Sequence, residues 1–414
     1  MPDMRSSKIM IRSKSKLLMP AVAMALCLAI GRAGAASWQQ TIDQARGQTV
    51  FFNAWGGSEQ INDYIDWAAK QVSQRYGITL THVKVSDVSS VVSRILAEKA
   101  AGRKEKGTVD LIWINGENFQ AMKHNDLLHG PFVAGLPAFQ GVDPQQKPTT
   151  VVDFGEPVDG LEAPWGMAQL VFIYDQDVFS RLHAKPPTSA TSLLAFARQH
   201  KGRVTYPLPP DFTGTTFLKQ LLLELTPEPG VLLKPVHQAD FNAVTAPLWC
   251  YLDELHPLLW REGKTFPANN MLMTPMLDDG EILLSMNFNP SYASSAIISG
   301  ELPETVRTYV HDNGTLGNTH FLAIPFNSDA TAAARVVINF LLSPEAQALK
   351  ANPDAWGDPT VLSMDRLTPA QRKLFNDLPM GPATLSSDAL GRTLPEPHSS
   401  WTVALEKAWL SRYR

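Results

Sequence analysis

Apolar positions along the chain change between two spacings, and each change marks a new element. The first apolar run, 49–55, is short and continuous and ends at Gly56-Gly57-Ser58, so it predicts a buried strand followed by a turn. Beyond the turn, apolar residues recur at helical spacing from Ile61 to Val72. Ser58 is expected to cap this helix and Gly77 to end it. The first unit is therefore a strand, a turn and a helix.

The same unit recurs through most of the chain. Such alternation predicts an α/β fold in which helices cover two mixed, mainly parallel sheets. The expected strands are 78–85, 109–114, 169–174, 203–208, 282–287 and 319–325, and the expected helices are 88–96, 215–225, 291–298 and 330–342. The section 352–397 gives no clear pattern.

The N-terminus has the three parts of a secretory signal peptide. Five basic residues precede an apolar run at 17–30, and Ala33-Gly34-Ala35 offers a small-residue cleavage site. We therefore expect 1–35 to be removed and the mature protein to reach the periplasm. Lipidation at Cys27 is the alternative, and Leu26 disfavours it because that processing prefers a small residue there.

Charge and composition narrow the class of protein. Removal of 1–35 takes six of the 36 basic residues and one of the 40 acidic residues, which leaves a net charge of about −9. A negative chain argues against binding to nucleic acid or to an anionic membrane. The remaining apolar runs are too short to span a bilayer. With 44% hydrophobic residues, the chain can bury a large core and should divide into two domains.

Motifs of enzymes and metal sites are missing from the sequence. It has no nucleophile elbow, zinc-binding helix, C-x-x-C pair or dinucleotide fingerprint. His124 and His129 are five residues apart, which is off the spacing that places two ligands on one helical face. Cys250 lies in an apolar helical stretch and is interpreted as a core thiol. We predict no catalytic residue, no metal and no cofactor.

Several stretches follow one another in a characteristic order. They are 108–114 (TVDLIWI), 163–166 (APWG) with 171–175 (VFIYD), 202–207 (GRVTYP), and 321–325 (FLAIP) leading to 338–347 (INFLLSPEAQ). In this order they resemble the extracellular solute-binding proteins of ABC importers, and within them the YnjB-type branch. Those proteins have the two-lobed type II periplasmic binding fold, which also serves iron, thiamine, polyamine and maltose binders.

The resemblance implies a division of the chain into two lobes and also implies its partner proteins. Two crossings between lobes would permit hinge closure over a small-molecule ligand. An ABC permease and its ATPase would be the partners of a monomeric binding protein. The implied crossings are 163–168 and 317–321, with 38–166 and 319–355 in lobe 1, and 167–318 and 356–414 in lobe 2.

Ligands of open parallel sheets sit beyond the carboxyl ends of strands, at the turns into helices. This rule selects four turns, and the resemblance adds the crossing residue Trp165 as the floor of the cleft. The candidate ligand-binding residues are Trp55, Gly57, Ser58, Glu117, Asn118, Trp165, Asp211, Thr213, Thr215, Asn289 and Tyr292.

Each candidate also has a structural interpretation, because glycine can serve a turn, serine a cap and tryptophan a core. If Glu117 and Asp211 face the cleft, a cation with a flat or aliphatic body would fit. Free N–H groups at helix starts also suit anions, so the charge of the ligand stays open. Tyr292 lacks the adjacent tyrosine typical of ferric binders, which disfavours iron. A secreted hydrolase with Glu117 or Asp211 as general acid or base is the alternative function.

Overall fold

Two main sheets and one two-stranded hairpin, β4-β5, occur in the part of the chain that the computed structural model describes, residues 38–414. The predicted signal peptide and Cys27 lie outside it. The strands are β1 Thr49–Trp55, β2 Thr79–Val85, β3 Leu111–Ile114, β4 Val152–Asp153, β5 Glu156–Pro157, β6 Glu162–Gln169, β7 Val171–Asp175, β8 Ser285–Asn287, β9 Val306–Tyr309, β10 Thr315–Ala323 and β11 Thr393–Leu394.

Helices follow most strands, as the alternating pattern predicts. They are α1 (38–45), α2 Glu59–Tyr76, α3 Ser89–Ala100, α4 Gly116–His124, α5 Gln176–Arg181, α6 Ala190–Gln199, α7 Phe212–Leu225, α8 Phe241–Leu255, α9 Met273–Asp278, α10 Tyr292–Ile298, α11 Thr331–Leu341, α12 Pro344–Ala351, α13 Pro369–Asn376, α14 Ser387–Leu390 and α15 Ser399–Tyr413.

The larger sheet is mixed. Its order is β11-β10-β3-β1-β2, with β6 on the other edge of β10. Strand β1 pairs in parallel with β2 from Thr49 opposite Thr79 to Trp55 opposite Val85, and in parallel with β3. Strand β10 runs antiparallel to both β3 and β6. The carboxyl ends of β1 and β3 therefore lie at one edge, where their turns meet.

The smaller sheet corrects the expectation of two mainly parallel sheets. Its order is β8-β7-β9, and β7 is antiparallel to both neighbours. The predicted strand 203–208 is absent from this sheet. The N–H of Leu283 and that of Trp260 donate to the carbonyls of Arg203 and Val204, but no ladder forms. Pro207 lacks an N–H and Pro209-Pro210 follows at once, so a ladder along this segment would be interrupted.

Two main hydrophobic cores form, and β6 and β10 contribute to both. Leu316 packs in one core and Leu322 in the other, within the single strand β10. Beside it, Trp165 and Ala168 of β6 divide in the same way. This supports the proposed division into two lobes. Trp356, just beyond the predicted end of lobe 1, packs with the lobe 1 core, as do Val361, Leu362 and Leu367. The packing favours extending lobe 1 to about residue 367.

Helix ends and faces follow the sequence in part. Gly77 ends α2 in the left-handed conformation, as predicted, with φ 66°. Ser58 stands at the N-cap of α2, but its side chain makes no capping hydrogen bond. Cys250 is exposed, because α8 buries the face that carries Leu248 and Leu252, so the interpretation as a core thiol is wrong. Within 38–414, none of the helices has the length and apolar content of a membrane span.

Candidate functional site

A cavity of about 880 Å³ lies between the two cores, at the carboxyl ends of β1 and β3. All four predicted turns line it, as do α15 and the segment at 356–358. The predicted candidates that line the cavity are Trp55, Gly57, Ser58, Glu117, Asn118, Asp211, Thr213, Thr215, Asn289 and Tyr292. The residues that the strand-end rule selected therefore lie together in the structure, although they come from distant parts of the sequence.

Trp165 is the exception, and the prediction that it forms the floor of the cleft is wrong. Its side chain is fully buried and does not line the cavity. Its ring packs edge-on against Trp113 at 5.1 Å and against Trp356 at 5.2 Å between centroids. Trp113 and Trp356 line the cavity in its place. Both faces of β6 are covered at this point, so a crossing residue lies below the surface.

The turn after β1 is fixed by close approach rather than by backbone angle. A Cβ added to Gly57 would lie 2.3 Å from Cζ2 of Trp55, and one added to Gly56 would lie 2.6 Å from Cβ of Lys84. Only glycine therefore lets the Trp55 indole lie over the turn. The Ser58 hydroxyl reaches Oε1 of Gln60 at 3.5 Å. The turn presents an aromatic ring to the cavity.

Asp211 caps α7 and faces the cavity at the same time. Its Oδ1 accepts hydrogen bonds from the N–H groups of Thr213 at 3.0 Å and Gly214 at 3.1 Å. Burial raises its pKa to about 6, although these two hydrogen bonds act in the opposite direction. Asp211 is thus the N-cap of α7, a role that was not predicted from the sequence, and its second oxygen has no hydrogen bond among the described residues.

Lys219, on the same helix, forms a buried ion pair in the cavity wall. Its Nζ lies 2.7 Å from Oε2 of Glu396, and both side chains are almost fully buried. Oε1 of Glu396 accepts a hydrogen bond of 3.0 Å from Nδ2 of Asn318. The ammonium also lies 4.5 Å from the ring centroid of Phe154 and 5.8 Å from that of Phe212. Carboxylate and aromatic rings therefore already hold one ammonium group here.

Glu406 on α15 and Glu117 on α4 also line the cavity, and their helices pack together. Oε1 of Glu406 accepts a hydrogen bond of 2.8 Å from the Thr215 hydroxyl. Burial is the main cause that raises the pKa of Glu406 to about 7; the nearby Glu117 contributes, while the Thr215 hydrogen bond and Lys219 act in the opposite direction. Burial also raises the pKa of Glu117, whose Oε1 accepts from Nδ2 of Asn118 at 3.1 Å.

Side chains of the turn after β8 form hydrogen bonds within the protein. Nδ2 of Asn289 donates to the carbonyl of Trp356 at 3.0 Å, and its Oδ1 accepts from the N–H of Ser291 at 2.9 Å. The hydroxyls of Tyr292 and Thr274 share a hydrogen bond of 2.7 Å. Burial raises the pKa of Tyr292 to about 12. This turn ties the wall of the cavity to the segment around Trp356.

A second buried ion pair lies beside Trp356. Lys350 contacts Asp358 directly, and Nε2 of His320 lies 3.1 Å from Oδ2 of the same carboxylate. Burial opposes ionisation of Asp358, but the charges of His320 and Lys350 outweigh it and hold its pKa below the usual value. In residues 38–414, no three His, Cys, Asp or Glu side chains are arranged to hold a metal ion.

The sequence pattern of the family described as bacterial extracellular solute-binding protein matches residues 67–389. The chain is also 47% identical to Protein YnjB of Escherichia coli strain K12 over 379 residues, which cover 92% of this chain and 94% of that protein. The chain belongs to the bacterial extracellular solute-binding proteins. Its role as a solute-binding protein of the ABC transporter type follows from this membership.

Solved structures share the fold of this solute-binding protein. A putative spermidine/putrescine ABC transporter protein from Listeria monocytogenes aligns with TM-score 0.60 and 16% identity, over 88% of this chain and 99% of its own. The periplasmic binding protein AfuA from Actinobacillus pleuropneumoniae, with fructose-6-phosphate bound, aligns with TM-score 0.61 and 14% identity, over 88% and 98%. The two-lobed type II periplasmic binding fold is thereby confirmed.

Several cavity residues of this solute-binding protein were not predicted from the sequence. Lys219 lies within an apolar helix, and Glu406 lies on a helix far from any strand end. The strand-end rule considers neither position. Trp113 had a usable signal, since it precedes the last residue of β3 and interrupts an aliphatic run, DLIWI.

Proposed function

We propose that this solute-binding protein captures a small molecule in the periplasm, between its two lobes, and delivers it to an ABC permease as a monomer. The observation that carries the proposal is the cavity of about 880 Å³ whose walls come from both cores. A cavity of this size suits a small organic ligand. Trp55 and Trp113 come from one core and Phe288 and Tyr292 from the other, so closure would bring both walls onto a ligand.

Strands β6 and β10 support a hinge. They pair with each other from Gly317 opposite Gln169 to Ala323 opposite Glu162, with a register shift between His320 and Phe321. Their pairing is continuous between the two cores, and a shift in register is a local irregularity at which a ladder bends. Rotation of one lobe against the other would require small changes at this crossing.

The fold leaves the ligand open. One structural neighbour is named for spermidine and putrescine, and another holds fructose-6-phosphate. The same scaffold therefore serves cations and anions, and the choice rests with the cavity residues of each protein.

Native purification followed by mass spectrometry tests capture directly. We expect a small molecule to be released on denaturation, and its return to the stripped protein to raise Tm, because it binds only the folded state. Small-angle scattering should show a smaller radius of gyration with ligand. Conversion of the ligand into a product would instead favour the secreted hydrolase with Glu117 or Asp211 as general acid or base. Failure to bind any component of a small-molecule extract would contradict capture.

A further inference from the structure

Three carboxylates of the cavity have no cationic partner. Two other charged groups of the wall are neutralised, Lys219 by Glu396 and Asp358 by Lys350. Among residues 38–414, no Lys, Arg or His nitrogen lies within 4.0 Å of Glu117, Asp211 or Glu406. The remaining charges of the wall, those of Lys84 and Asp87, are exposed and opposite in sign. The cavity wall therefore carries an excess of acidic groups.

These carboxylates are also partly shielded from water. Burial raises the pKa of Glu117 and of Glu406, and the proximity of the two groups adds to the effect on Glu406. Neighbouring negative charges in a partly desolvated cavity are unfavourable by themselves, and a cation placed between them offsets both the repulsion and the loss of solvation. The arrangement is costly for the empty protein and favourable with a cation bound.

Two buried polar atoms at the same wall lack a partner. Asn318 is 5% exposed and Thr402 is 4% exposed, and both line the cavity. Within 38–414, neither Oδ1 of Asn318 nor the Thr402 hydroxyl has a hydrogen-bond partner. Buried polar atoms are normally paired, and an amide oxygen can only accept. Thr402 lies one turn before Glu406 on α15, so both side chains share a face. A ligand that donates hydrogen bonds would satisfy Oδ1 of Asn318 and the Thr402 hydroxyl.

Anion binding at the starts of α7 and α4 is disfavoured by what occupies them. Oδ1 of Asp211 already accepts from the first N–H groups of α7. The N–H of Gly116, at the start of α4, donates to Oδ2 of Asp153 at 2.6 Å. A protein carboxylate therefore satisfies each of these helix starts and repels a second anion.

We propose that the ligand is an organic cation whose charged nitrogen lies between Glu117 and Glu406, with its donors directed to Asn318 and Thr402. The inference rests on the proposed function, since it names the class of molecule that the cavity captures. Trp55 and Trp113 line the same cavity and would cover the body of the ligand. A flat or aliphatic body therefore fits, with the charge at the α4 and α15 wall.

Matched pairs of probes of nearly equal shape test the charge. The pairs are choline with 3,3-dimethylbutan-1-ol, 1-methylnicotinamide with nicotinamide, and 1,4-diaminobutane with 1,4-butanediol, and succinate serves as the anion. Calorimetry on the mature protein, together with the charge of any ligand recovered from native protein, gives the result. We expect binding by the cationic member of at least one pair and by neither its neutral partner nor succinate. A neutral or anionic recovered ligand would overturn the inference while leaving capture intact.

Variants test the position. Glu117→Gln and Glu406→Gln should each weaken cation binding about ten- to a hundredfold, which is typical for loss of a charge-assisted hydrogen bond. Glu254→Gln is the control, because that exposed carboxylate pairs with Arg198 outside the cavity. Thr402→Val keeps the shape of the side chain, removes only an unpartnered hydroxyl, and should weaken binding severalfold without loss of folding. Equal affinity in all four variants would overturn the site. Failure of every small molecule to bind would instead contradict the proposed function.

Discussion

The Thr215 hydroxyl donates a hydrogen bond of 2.8 Å to Oε1 of Glu406 and so joins α7 to α15. Thr215 was predicted as a ligand-binding residue, and the structure gives it a second task, because it fixes one oxygen of a cavity carboxylate. A residue at a strand-end turn thus orients a group that belongs to a distant helix.

Glu406 should make the stability of the ligand-free protein depend on pH. Its pKa in the folded state is about 7, above the ordinary value of 4.5, so between these values the folded state holds a proton that the unfolded state has released. The stability from this group is complete below about pH 4.5 and is lost as pH rises through 7. The Tm of Glu406→Gln, measured relative to the Tm of the wild type, should therefore increase between pH 5 and pH 8. Parallel curves would contradict this.

Gly57→Ala should weaken ligand binding through Trp55. The new Cβ would lie 2.3 Å from the indole, which must move away from the turn. Gly230→Ala is the matched control, since its Cβ would meet no atom within 4 Å and its φ is not positive. We expect the control to bind normally and to change stability by less than about 1 kcal/mol. Calorimetric titration of both variants with the natively recovered ligand gives the comparison, and equal affinities would exclude a role for the ring.

Asp211 should separate capping from ligand contact. Asp211→Ala removes the cap of α7 and should cost about 1 kcal/mol of unfolding free energy. Asp240→Ala removes an equivalent cap from α8, where Oδ1 accepts from the N–H of Ala243 outside the cavity. Both should lose similar stability in urea, but only Asp211→Ala should also lose ligand affinity. Asp211→Asn should keep the cap and lose affinity, and unchanged binding in that variant would leave Asp211 a purely structural residue.

Trp165→Ala should lower the free energy of unfolding far more than the loss of a side chain that lines a cleft would. The indole is fully buried among aromatic rings, and large-to-small changes at such positions cost about 3–5 kcal/mol. Trp260→Ala is a suitable comparison, because its indole N–H donates to Glu281 at the surface. Equilibrium unfolding in urea measures both. A loss no larger than that of Trp260→Ala would mean that the aromatic cluster adds little to the core.

Lys219→Met should leave Glu396 buried without its cation. Breaking such a pair costs about 3–5 kcal/mol, whereas replacing both partners by uncharged groups costs less. The double variant Lys219→Met with Glu396→Gln should therefore recover part of the stability in urea. Arg198→Met breaks an exposed pair and should change stability by about 1 kcal/mol or less. A double variant less stable than the single variant would show that Glu396 contributes independently of Lys219.

The fold and much of the cavity could be predicted from the sequence, and the reason is geometric. Parallel strands end at a common edge, so turns such as 55–58 and 115–118 had to meet once the strands were known. The burial depth of a side chain could not be predicted from the sequence in the same way. The pattern could not distinguish Trp165, which packs below the cavity, from Trp113, which lines it. Glu406 was out of reach because its place depends on how α15 packs against α4, which no local spacing encodes.

The use of α15 as a wall makes the cavity a property of the whole folded chain. Thr402 and Glu406 of α15 form part of the cavity wall, so an intermediate with α15 undocked has an incomplete cavity. Ligand binding should therefore be coupled to docking of that helix, and amide hydrogen exchange in α15 should slow when ligand is present. Protection of α15 from exchange would then report that the cavity is occupied.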